Sequence, residues 1–116
     1  MPIDLEHVKE VTKKAYDTGA YRRLKGRERI ALAILETPVK GGTDVQIGYK
    51  KYKVEQDAYL VFIDLMHNAN FQHPVLYELY NLQDGSVRTI EEKFPLADAK
   101  LERSLKYYIL PRKEGK

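Results

Sequence analysis

The stretch 57–92, DAYLVFIDLMHNANFQHPVLYELYNLQDGSVRTIEE, limits the folds open to this chain more than any other part. It contains the longest apolar run and the strongest turn signal, together with six of the 17 acidic residues. Residues 57–67 are apolar on both parities apart from Asp64, as expected of a central strand covered on both faces. Tyr59, Phe62, Ile63 and Met66 also fit helical spacing, but the β-branched and aromatic content favours a strand. Residues 68–74 form a loop in this reading. Val75 to Tyr80 is a further strand, Asp84-Gly85 is expected to supply a two-residue type I′ turn, and Val87 to Ile90 returns as the hairpin partner.

The flanks are expected to be helical. Asp4 can cap a first helix, with Ile3 and Val8 at the positions that staple its start. Leu5, Val8, Val11, Thr12 and Ala15 form its apolar stripe, and Gly19 is a natural stop. A second helix is expected from about Arg27 to Glu36, ended by Pro38. Val45, Ile47 and Tyr49 alternate, then Tyr52 and Val54 alternate with the opposite parity. A β-bulge near Lys50 and Lys51 would reconcile the two. Leu96 to Ile109 is expected as a last helix, followed by a disordered basic tail at 111–116. The expected fold class is therefore α+β: a four-stranded antiparallel meander with two N-terminal helices and one C-terminal helix, ordered α-α-β-β-β-β-α.

A chain of 116 residues, 43% of them apolar, is expected to form a single domain over 1–116 and to fold without a metal or disulfide. It has no cysteine, which excludes thiolate chemistry and fits a reducing interior. No apolar run reaches the ~20 residues that span a bilayer. The N-terminus lacks a signal-peptide pattern, so a cytoplasmic location without membrane contact is expected.

Charge is modest overall, +3, but unevenly spread. Residues 1–19 are net −1, 20–53 net +6, 54–99 net −6 and 100–116 net +4. Such a molecule either docks an anion on its basic part or pairs its own halves. Two segments concentrate the positive charge. One holds Arg22, Arg23, Lys25, Arg27 and Arg29; the other is Tyr49, Lys50, Lys51, Tyr52 and Lys53. Guanidinium and ammonium groups bind phosphates, and tyrosines among them can stack on unpaired bases. The expected function is a small non-enzymatic module that docks an anionic partner, including nucleic acid, without a cofactor.

Two other functions fit the residues. Nine tyrosines without tryptophan suit a protein-interaction or homo-oligomer surface, with Tyr77, Tyr80, Tyr107 and Tyr108 as candidates. The simpler expectation is that these four edge the core with their hydroxyls in water. Asp64, His67 and His73 are the only cluster resembling a catalytic or ligand-binding constellation. Their spacing matches no mechanistic motif, and on one continuous strand Asp64 and His67 would point to opposite faces. A carboxylate between Ile63 and Leu65 is nevertheless costly to bury alone, so Asp64 is expected either to pair with an Arg or Lys or to line a pocket. No phosphate loop, nucleophile elbow or zinc-protease helix is present in the sequence.

Overall fold

The computed structural model describes residues 2–21, 30–65, 67 and 73–111. Helix α1 spans Leu5–Asp17. Asp4 caps it, accepting from the His7 amide at 2.9 Å, and Gly19 adopts φ +83° just beyond its end. Val8 and Thr12 face inward. Strand β1 is Ala31–Ile34, β2 Asp44–Ile47, β3 Lys50–Lys53, β4 Ala58–Asp64, β5 Val75–Asn81 and β6 Val87–Glu92. Helix α2 covers only Ala99–Ser104, and β7 is Lys106–Ile109.

These elements overturn the expected four-stranded meander with three helices. The main sheet has five antiparallel strands in the order β6-β5-β4-β1-β7, and β2 and β3 form a separate two-stranded sheet. Two helices, not three, occur among the described residues.

Each difference has a local cause. Residues 31–34 were expected within a helix but form β1, between β4 and β7 and buried at all four positions. A strand covered on both faces is apolar throughout and carries no period to read. Residues 27–29, the expected start of that helix, lie outside the described residues. In the last segment Leu105 leaves the helix with extended backbone, and the aromatic and β-branched run Tyr107-Tyr108-Ile109 pairs with β1.

The parity change after Tyr49 comes from chain reversal rather than a bulge. Ile47 pairs with Lys50 across the two-residue turn Gly48-Tyr49, which brings Val45 opposite Tyr52. The β5–β6 turn is longer than the expected two residues. The Asn81 amide bonds Ser86 O at 2.8 Å, enclosing four residues, and Gly85 there has φ +76°. The Asn81 side chain accepts from the Gln83 amide at 2.8 Å, an Asx turn that the two-residue reading did not anticipate.

The main sheet is apolar on both faces. One face carries Leu60, Phe62, Tyr77, Leu79 and Ile90 and packs against Val45 and Ile47 of the small sheet and Val54 just after it, with Leu96 beside them. The other carries Leu32, Ile34, Val61, Ile63 and Tyr80 and packs against Val8 of α1, Tyr21 and Ile30. The small sheet is also fastened by backbone: Ala97 N bonds Gln46 O at 2.9 Å and Gly48 N bonds Pro95 O at 3.2 Å. No described helix is long and apolar enough to cross a membrane.

Candidate functional site

The β2–β3 hairpin presents the second basic segment. Lys50, Lys51 and Lys53 are exposed, and Tyr49 at the turn is 90% exposed. The Tyr49 ring meets Phe94 edge-on, with centroids 5.8 Å apart and planes at 72°. Phe94 is itself held, because its carbonyl accepts from the Tyr77 hydroxyl at 2.7 Å. Gly48 is required here: its φ is +59°, and a Cβ would lie 2.6 Å from the Phe94 ring.

Tyr52 belongs to the fold rather than to this surface. Its hydroxyl donates to the Glu92 carboxylate, and the Arg88 guanidinium lies over its ring at 5.8 Å. The bond to Glu92 raises the Tyr52 pKa, with burial adding to it. Arg88 also donates to Lys53 O at 2.8 Å, tying the end of β3 to the main sheet.

Arg22, Arg23, Lys25, Arg27 and Arg29 lie outside the described residues. The residues on either side of that run do not: Tyr21 and Ile30 are both buried on the α1 face of the main sheet. The hairpin packs on the opposite face. The described neighbours of the first basic run and the hairpin thus lie on opposite faces of the main sheet.

The Asp64 cluster assembles through the end of β4. His73 Nε2 lies 2.7 Å from Asp64 Oδ1, and His67 Nδ1 lies 3.5 Å from Asp64 Oδ2. The expectation that Asp64 and His67 diverge assumed a strand running through both. β4 ends at Asp64 and Leu65 begins a turn, so the alternation stops before His67. All three side chains are at most 18% exposed. His67 Nδ1 is buried without a hydrogen bond of normal length. Tyr107 packs on the His67 ring, with centroids 5.1 Å apart. Burial raises the Tyr107 pKa, and the Asp64 and Glu102 charges add to the shift. Among the described residues no group of three or more His, Cys, Asp or Glu is arranged to hold a metal ion.

A third polar cluster lies on the α1 face. Glu78, 9% exposed in the middle of β5, accepts from the Tyr80 hydroxyl at 2.7 Å and the Tyr21 hydroxyl at 3.1 Å. Burial raises both tyrosine pKa values, and the Glu78 charge raises them further. The burial-cost argument that singled out Asp64 would also have found Glu78 in VLYELYN. Nothing in the sequence pointed to Phe94 behind Tyr49 or Tyr107 beside His67, because both contacts depend on long-range pairing.

Tyr77 and Tyr80 do not edge the core with wet hydroxyls. Both are buried, and their hydroxyls are bonded to Phe94 O and Glu78. Of the four tyrosines expected at an interaction surface, Tyr107 is the most exposed, at 45%. No protein-family model, curated protein or solved structure matches this chain.

Proposed function

We propose that the protein is a binding module that docks an anionic polymer on the β2–β3 hairpin. What supports the reading is the exposure of Lys50, Lys51 and Lys53 together on one short strand beside an almost fully exposed Tyr49. Residues 44–53 carry three lysines and one acid, Asp44, a local net charge of +2. Each ammonium is a mobile point charge suited to phosphate oxygens, and binding would release counterions from the polymer. Three such contacts predict a log–log salt slope of about −2 for a single strand. The run at 22–29 adds five positive charges and is treated as a separate contribution.

The test is a salt titration of oligonucleotide binding by fluorescence anisotropy. Binding at low salt that weakens with that slope, and falls at least tenfold when Lys50, Lys51 and Lys53 are all changed to Gln, is the expected result. No binding at low salt, or no change in the triple variant, removes the proposal. A variant neutralised at Arg22, Arg23, Lys25, Arg27 and Arg29 measures the other run separately.

One observation favours a second reading, a ligand-binding or acid–base pocket: the 2.7 Å contact of His73 Nε2 with Asp64. If Nε2 carries the proton and donates to the carboxylate, Nδ1 is left as the basic atom. Such a site has to be reachable from solvent. Carbethoxylation by diethyl pyrocarbonate, with exposed His7 as the internal reference, tests it. Reaction of His73 at a rate near that of His7 supports a working site, and complete protection assigns the cluster to the fold.

A further inference from the structure

We infer that the ligand of the hairpin is an unpaired nucleic-acid strand, one base of which stacks on Tyr49. This inference rests on the anion-binding reading and adds a recognition element to it.

Tyr49 is the most exposed of the tyrosines, at twice the exposure of Tyr107. Tyr21, Tyr59, Tyr77 and Tyr80 are buried, whereas Tyr49 is 90% exposed. An exposed ring on a floppy turn would mean little, but this one is seated. Phe94 supports it edge-on, the Tyr77 hydroxyl holds the Phe94 carbonyl, and Gly48 brings the turn backbone against the Phe94 ring. The backbone at the turn is tied down as well, by Gly48 N to Pro95 O. An exposed aromatic ring supported by Phe94 beside Lys50 and Lys51 meets the two requirements of strand binding without sequence preference: a stacking platform and phosphate-binding charges.

The ring also separates the classes of anion. In a duplex each base is already stacked on both faces, so a duplex can use the lysines but not Tyr49. A polyanion without bases, or an acidic peptide, is likewise limited to charge.

The probes are a single-stranded oligothymidylate, an abasic strand of the same length, a duplex of that length and polyglutamate. Wild-type protein should prefer the base-bearing strand over the abasic one. Tyr49→Ala should weaken oligothymidylate binding by roughly tenfold and leave the abasic strand and the duplex unchanged. Tyr49→Phe should restore the affinity, since it keeps the ring. Substitution at a residue this exposed leaves the core untouched, and unchanged urea unfolding checks that. Tyr49→Ala without effect, or with the same effect on every probe, overturns stacking, as does polyglutamate that binds as well as the strand. If the triple lysine variant loses binding while Tyr49→Ala does not, the electrostatic reading survives and this inference fails. If no probe binds, both fail.

Discussion

His73 Nε2 and Asp64 Oδ1 meet at 2.7 Å across the β4–β5 connection, nine residues apart in sequence. Asp64 sits at the last position of β4, in register with Val75 of β5, so the contact fastens the residue entering β5 to the one leaving β4. Removing the Asp64 carboxylate takes away the acceptor that His73 Nε2 meets at 2.7 Å. Asp64→Ala should therefore destabilise the fold by about 1–3 kcal/mol, read as a lower urea midpoint at unchanged slope. His73→Ala should cost a similar amount, and the double mutant should cost clearly less than the sum if the two act as a pair. Strict additivity would show that the contact contributes nothing as a pair.

Glu78 makes the corresponding prediction on the opposite face. Tyr21 and Tyr80 both donate to its Oε1. Tyr80→Phe removes one donor from a buried carboxylate and should cost about 1–3 kcal/mol. Tyr21→Phe should cost less, because its bond is longer at 3.1 Å and Tyr80 remains in place. Changing both tyrosines to Phe should exceed the sum of the singles, since the carboxylate is then left without either hydroxyl. Because Tyr21 leads into the basic run at 22–29, Tyr21→Phe also tests whether that anchor matters to polymer binding.

Alkaline pH should destabilise the fold through its buried tyrosines. Burial pushes Tyr108 up to about 12 and raises Tyr21, Tyr77 and Tyr80 as well. A group with a raised folded pKa favours its protonated form in the fold. Its contribution to stability is complete below the unfolded value near 10 and is lost as pH rises through the folded value. Each such tyrosine steepens the loss by about 1.4 kcal/mol per pH unit in that window. Tyrosinate absorbance should show Tyr21, Tyr77, Tyr80 and Tyr108 ionising together with unfolding. Titration of these four tyrosines near 10 with the fold intact would contradict the burial argument.

How much was legible in the sequence depends on whether the deciding force was local. Helix α1 was readable because Asp4, the stripe around Val8 and Gly19 each act within a few residues. β4 was readable from its β-branched and aromatic content, and Asp64 from the cost of burying a carboxylate among aliphatics. β1 was not readable: ALAI suits either element alone, and its pairing with β4 and β7 decides the matter. The Leu101 and Leu105 spacing suggested a helix continuing into residues that instead form β7, although both leucines do pack on the small-sheet face. The parity change near Lys50 reads as a bulge in the sequence alone, whereas the structure reverses the chain at Gly48. For the Asp64 cluster the odd spacing to His67 misleads because β4 ends at Asp64 and strand alternation stops there. The candidate sites also share a side of the sheet in a way that sequence could not reveal. Glu92, which accepts from Tyr52 of the hairpin, is in register with Val75, and Val75 with Asp64. Two strand spacings separate Glu92 from Asp64, roughly 10 Å.

Gly48 supplies the last prediction, because it joins the fold to the proposed platform. At φ +59° an alanine costs about 1–2 kcal/mol in backbone strain. Its Cβ would also lie 2.6 Å from the Phe94 ring, so either the turn or Phe94 has to move. Phe94 is restrained by the bond from Tyr77 to its carbonyl, so the turn should yield first. Gly48→Ala should therefore lower the urea midpoint and disturb the hairpin tip while α1 and the main sheet persist. Hydrogen exchange would show this as faster exchange confined to the amides of β2 and β3. The same variant should lose affinity for oligothymidylate although every lysine is retained, and Gly48→Ala with Phe94→Ala should recover part of the stability but not the affinity. Full affinity in Gly48→Ala would mean that the seating of Tyr49 on Phe94 plays no part in binding.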